Sequence, residues 1–322
     1  MRKSFIVFII ALSFFICITA KANKERDYSL HEKDCLSNGW KKITINVSGI
    51  KRQLLWKEPA GKWNNGAIIL LHGGGGNYTN WGSKLRICEP MSKFSDLAVK
   101  NGFALFALDS AYNVVTDKTG KPAGKRFDCL YSENKPNLDL YFIKEVIVNI
   151  IPKLRPAYSA ENIFMTGISN GGFMTILAST KFDDKITSFV PVSAGDPYGT
   201  SLTCTNYITL RKNAPGFYFD NETHKNVLKD NACKANKYPH EKQWYTANPV
   251  KKPSFKQFHN AGDRLIDLSC MKKAEYFLNL HGYKNEGSYI LQDKGGKSTL
   301  KHLWSKKYNQ PIIDFFIKSR SL

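Results

Sequence analysis

Apolar residues fall in two rhythms along this chain. Between residues 43 and 56 they alternate, with Ile43, Ile45 and Val47 before a turn at Gly49 and Leu54 and Trp56 after it. A period of two marks strands with one buried face, so this stretch predicts an antiparallel hairpin leading a sheet. Further on, alternation gives way to continuous apolar runs at 67–71, 103–108, 162–168 and 186–192. Runs of this kind belong to strands covered by helices on both faces. Between them, apolar positions recur at helical spacing over 91–100, 138–154 and 172–181, and Gly102 is suited to end the first of these helices. After Ala194 the pattern breaks into a stretch rich in Lys, Asn, Tyr and Pro, and it resumes with a strand at 254–259, a helix at 271–280, a strand at 287–291 and a helix at 311–317. Strands alternating with helices predict an α/β fold with a mostly parallel central sheet. The irregular stretch, about 198–250, reads as an insertion or cap within one domain.

The ends of the chain and its composition add a setting. Arg2 and Lys3 precede an apolar run from Phe5 to Ile18, and Ala20, Lys21 and Ala22 follow it. This is the order of a secretory signal peptide, expected to cover residues 1–22 and to leave a domain of 23–322. The run is shorter than the roughly 20 residues that span a bilayer, so stable membrane insertion is not expected. A secreted or periplasmic location follows. Six cysteines then remain, an even number in an oxidising compartment, and disulfides are the expectation. Short loop closure favours Cys204 with Cys233 and Cys88 with Cys129. The formal charge of +20 falls to +17 without Arg2, Lys3 and Lys21. The excess is dispersed lysine with no nucleic-acid motif, which predicts a solvated basic surface with weak attraction to anionic surfaces and no nucleic-acid partner. No spacing of His and Cys predicts a metal site.

One pentapeptide carries candidate chemistry. Gly167, Ile168, Ser169, Asn170 and Gly171 spell GxSxG between a predicted strand and a predicted helix. In that context the motif is the sequence form of a nucleophile elbow, with Ser169 on a sharp turn that needs glycines beside it. A serine hydroxyl needs a histidine base, and the base needs a carboxylate to fix its tautomer. On such a sheet the order is Ser, then Asp or Glu, then His, each on a loop at the carboxyl end of a strand. Asp263 follows the 254–259 strand, with Asp267 and Asp293 as competitors, and His302 is the histidine after the last strand. His72 and His259 sit at strand ends, where holding loops by hydrogen bonds is the expected role. Two backbone donors for an oxyanion are expected from Asn170 and from the run Gly73–Gly76, with Gly74 preferred and Gly75 next. That run lacks the Lys and Ser or Thr of a P-loop, so nucleotide binding is disfavoured. Tyr78, Trp81 and Trp304 lie near these elements and either line a substrate pocket or pack as ordinary core.

Several segments together resemble a known family. Leu71 to Gly75 (LHGGG), Thr166 to Met174 (TGISNGGFM), Pro191 to Gly199 (PVSAGDPYG) and His302 to Trp304 (HLW) are similar to the secreted poly(3-hydroxybutyrate) depolymerase, feruloyl and acetylxylan esterase group of α/β-hydrolases. The resemblance spans about residues 43 to 318. It implies the α/β-hydrolase fold and a cofactor-free serine esterase acting on an ester-containing small molecule or polymer, with Ser169 as nucleophile, Asp263 as acid and His302 as base. Residues 259–263 have Asn260 where the family's HGxxD has Gly, and the segments after Leu108 and over 200–250 depart from the pattern. A peptidase using the same triad and a non-catalytic surface-binding homologue are the competing expectations.

Overall fold

The computed structural model of the chain describes residues 29–85, 88–115, 122–129, 136–198, 252–293, 295–296 and 298–320. The expected signal peptide, the Cys204–Cys233 pair and nearly all of the expected insertion lie outside these residues. Helix α1 (Ser29–Ser37) precedes strands β1 (Lys41–Val47) and β2 (Ile50–Lys57). These pair antiparallel through Val47 and Ile50, around Ser48 (φ 52°) and Gly49 (φ 80°). Two left-handed residues make the tight turn whose twist matches a hairpin. Strand β3 (Gly66–Leu71), helix α2 (Glu89–Lys100) and strand β4 (Phe103–Leu108) follow. A short hairpin of β5 (Tyr112–Val115) and β6 (Pro122–Arg126) then stands off the main sheet.

Helix α3 (Leu138–Glu145) runs through a π-helical turn (Val146–Ile150) into a last α-turn (Ile151–Leu154). Pro152 has no N–H for the carbonyl four residues back, which accounts for the break in regular helix there. The remaining elements are β7 (Ile163–Ile168), α4 (Asn170–Lys181), β8 (Ser188–Val192), β9 (Ser254–Phe255), β10 (Phe258–Asn260), α5 (Leu268–Leu280), β11 (Tyr289–Leu291) and α6 (Asn309–Lys318). The sheet order is β1-β2-β4-β3-β7-β8-β10-β11, with β9 added beside β8. Pairings from β4 through β3 to β11 are parallel, and the β1–β2 and β2–β4 pairings are antiparallel, so β2 alone runs against the other strands of this sheet.

Alternation along β3 splits the core in two. Ala67, Ile69 and Leu71 join one cluster with Phe142 of α3, Met174 of α4 and Ala274 of α5, while Ile68 and Leu70 join the other with Phe94 of α2 and Ile312 of α6. All six β3 residues are buried, so each large side chain contributes about 1.5–3 kcal/mol by leaving water. Helices therefore cover both faces, as the continuous apolar runs predict. Cys35, Cys88, Cys129 and Cys270 are buried, with no disulfide among them. This corrects the expected Cys88–Cys129 disulfide. Cys88 opens α2, whose Phe94 and Ala98 pack on one face, and Cys129 packs in the core of the opposite face, so the sheet lies between the anchoring elements.

Candidate active site

Ser169 stands between β7 and α4 with φ 54° and ψ −122°. A non-glycine residue there is strained by about 1–3 kcal/mol and persists only where its surroundings fix it. Its N–H donates to the Val192 carbonyl at 2.9 Å, and its carbonyl accepts from Phe173 N at 2.9 Å. The neighbouring glycines admit no side chain. A Cβ on Gly167 would lie 2.5 Å from the Gly171 carbonyl oxygen, and one on Gly171 would lie 2.4 Å from the carbonyl oxygens of Leu71 and His72. Helix α4 thus enters against the end of β3, and the serine is left half-buried at the carboxyl edge of the sheet. The hydroxyl makes no hydrogen bond among the described residues.

Asp263 and His302 meet directly. His302 Nδ1 donates to Asp263 Oδ2 at 2.7 Å, and both side chains are buried. A carboxylate only accepts, so the ring proton sits on Nδ1 and Nε2 is left as the acceptor a base requires. The other Asp263 oxygen accepts from Leu265 N at 2.8 Å and Ile266 N at 3.1 Å. The two loops are stitched together by Ser298 N to the Gly262 carbonyl at 2.9 Å. The competing acids are engaged elsewhere: Asp267 caps α5 by accepting from Ser269 N at 2.9 Å, and Asp293 accepts from Asn260 Nδ2 at 2.7 Å and pairs with Lys307 at 2.8 Å. His259 donates from Nε2 to the Ile266 carbonyl at 3.0 Å and so braces the Asp263 loop from within.

The glycine turn after β3 lies against the serine. A Cβ on Gly73 would touch Ser169 Cβ at 3.7 Å, and one on Gly74 would touch Asn170 Cβ at 3.6 Å. Neither the Gly74 nor the Asn170 N–H bonds to another backbone group among the described residues, whereas Gly75 N donates to the Lys125 carbonyl at 2.8 Å. Two backbone donors beside a serine can receive a developing oxyanion. Sequence reasoning missed the Asn170 side chain. Its Oδ1 accepts from Phe127 N at 2.6 Å and its Nδ2 donates to the Phe127 carbonyl at 3.0 Å, clasping the chain after β6 to the elbow. It also missed Arg52, which bonds the Asp109 carbonyl at 2.8 Å and Asp139 at 2.5 Å.

Tyr78, Trp81 and Trp304 are all buried side chains. Trp81, Phe94 and Trp304 form an edge-to-face cluster of fully or nearly fully buried rings, and Trp304 Nε1 donates to Asn309 at 2.8 Å. Tyr78 is buried with its hydroxyl on Glu32 of α1. Trp304 Nε1 and the Tyr78 hydroxyl thus have partners inside the fold, whereas Trp81 Nε1 is buried without a hydrogen-bond partner among the described residues. Among the described residues no group of three His, Cys, Asp or Glu side chains is disposed to hold a metal ion.

No family model matches the chain, and no curated protein is similar to it in sequence. Solved structures are similar in fold. An acylaminoacyl peptidase from Pyrococcus horikoshii superposes with a TM-score of 0.56 at 16% identity over 87% of this chain, which spans only 42% of that enzyme's length. An arylesterase aligns with a TM-score of 0.54 at 15% identity over 98% of both chains, and an esterase from Pyrococcus furiosus with 0.50 at 18% over 89% of this chain and 95% of its own. These likenesses establish the α/β-hydrolase fold.

Proposed function

We propose that the chain is a serine hydrolase acting on carboxylic esters. The observation that carries the reading is the hydrogen-bonded Asp263–His302 pair, on loops at the same sheet edge as a serine held in elbow dihedrals. His302 Nε2 takes the Ser169 proton as Oγ attacks the ester carbonyl, and the oxygen that gains charge is received by the N–H groups of Gly74 and Asn170. Collapse of the tetrahedral intermediate expels the alcohol, which leaves with the proton from His302. Water, deprotonated by the same imidazole, then releases the acid from the acyl-serine. The resemblance to polyester depolymerases and to feruloyl and acetylxylan esterases supports a polymeric, aryl or acetyl ester as substrate. The amino-terminal pattern supports export, and the lysine excess supports attraction to anionic surfaces.

The test is covalent labelling by a fluorophosphonate with hydrolysis of a panel of acetyl, cinnamoyl and 3-hydroxybutyryl esters beside aminoacyl anilides. Wild type is expected to label at Ser169 and to cleave esters, and Ser169→Ala to do neither. Cleavage of anilides but not esters would move the reading to a peptidase. An unlabelled wild type that cleaves nothing would leave only a binding protein of this fold.

A further inference from the structure

Behind the glycine turn lies a buried polar cluster that the serine, acid and base do not use. His72 directly follows β3 and donates from Nδ1 to the Gly73 carbonyl at 2.8 Å. A carbonyl only accepts, so the proton of this ring is fixed on Nδ1. Burial holds the imidazole neutral, with its pKa lowered to about 3, and Nε2 therefore carries a lone pair. Facing that lone pair at 3.7 Å is Asp109 Oδ1 at the end of β4, and the other oxygen of Asp109 pairs with the Lys125 ammonium of β6. His72 and Asp109 are almost fully buried, while Lys125 is partly open to solvent.

The same lysine grips the glycine turn with its backbone. Gly75 N donates to its carbonyl at 2.8 Å, and its own N–H donates to the Gly76 carbonyl at 3.0 Å. The fit is close: a Cβ on Gly124 would lie 2.1 Å from the Gly75 carbonyl oxygen. The Gly73 carbonyl that receives the His72 proton belongs to the same planar trans peptide as the Gly74 N–H. Fixing one end of that peptide fixes the direction of the other.

We propose that His72, Asp109 and Lys125 are positioning residues that set the orientation of the Gly74 N–H as an oxyanion donor, Lys125 from the hairpin side and His72 from the strand side. This rests on the serine hydrolase reading above. None of the three touches the ester. Their effect is confined to the state in which the oxyanion exists, because only there does the direction of the Gly74 N–H matter.

The experiment compares Asp109→Asn, Lys125→Met and Lys125→Arg in the full chain, with kcat and KM on a p-nitrophenyl ester, affinity for an aryl trifluoromethyl ketone that forms a serine-bound oxyanion, and the melting temperature of each. Removing an oxyanion donor outright costs about 10²–10³ in kcat, so misaiming one is expected to cost about 10- to 100-fold. KM should change less than about threefold, the ketone should weaken by the same factor as kcat, and Lys125→Arg should recover most of the loss by restoring the ion pair. Equal losses in kcat and KM, or unchanged kcat in Asp109→Asn and Lys125→Met with lowered melting temperatures, would overturn the proposal. Should Asp109→Asn fail to fold, the Lys125 pair of variants decides, since that side chain is partly exposed. If wild type is not labelled at Ser169 by a fluorophosphonate, the hydrolase reading fails; if it is labelled and both variants label at its rate, the positioning proposal alone fails.

Discussion

At the scale of single residues, the clearest dependence in the proposed serine hydrolase is that of its base, His302, on a tautomer. His302 is held with Nδ1 on Asp263 Oδ2, and that carboxylate also receives two backbone N–H groups. Asp263→Asn keeps the volume and one acceptor but offers an NH₂ group where a carboxylate stood. Turned toward His302, that group selects the other tautomer and puts the ring proton on Nε2, where it blocks proton abstraction from Ser169. The same exchange in a serine protease triad lowers kcat by about 10⁴. A loss of that order is expected here on any ester the chain turns over, and a burst assay with active-site titration would separate it from loss of folded protein. Retention of more than a tenth of wild-type kcat would remove Asp263 from the acid role.

At the scale of elements, what could be read from the sequence followed from how each element is buried. Strands β3 and β4 bury both faces, so their continuous apolar runs were legible, as was GxSxG, because its glycines are demanded by contacts of 2.4 and 2.5 Å with backbone oxygens. The β5–β6 hairpin was not legible. Pro122, Gly124 and Lys125 carry no alternation, and Lys125 joins the hairpin to the core by backbone bonds to a glycine turn about fifty residues earlier and by its ion pair with Asp109. Helix α1 escaped for a related reason, since it buries only Cys35. Helix α5 starts at Leu268, three residues before the expected 271, with Asp267 capping it. That difference is testable. Asp267→Ala should cost about 1 kcal/mol in urea denaturation by leaving the Ser269 N–H without its cap, with kcat/KM within about twofold of wild type. A large loss of activity without loss of stability would return Asp267 to the catalytic site.

At the scale of the whole molecule, the buried charges behind the glycine turn shape how stability responds to pH. Asp109 has its pKa raised from the ordinary 3.8 to about 6, chiefly by burial, so the folded state holds its proton where the unfolded chain has released it. The stability this contributes is present below pH 3.8 and is lost as pH rises to about 6. His72 has its pKa lowered from 6.5 to about 3, again by burial, so its contribution is present above pH 6.5 and is lost as pH falls toward 3. Between about pH 4 and 6 the two slopes are opposite in sign and equal in size. Folding there moves one proton from the histidine to the aspartate and leaves the number bound unchanged. Wild type should therefore show little pH dependence from this pair. Asp109→Asn removes one slope and exposes the other, at about 1.4 kcal/mol per pH unit. The deficit of the variant relative to wild type should accordingly be larger at pH 4 than at pH 6, by about 2 kcal/mol. Urea denaturation of both proteins at half-unit steps from pH 4 to 7 measures it directly. A deficit that is constant across that range, or one that grows toward pH 6, would mean that Asp109 is ionised in the folded protein and that Lys125, not burial, governs its charge.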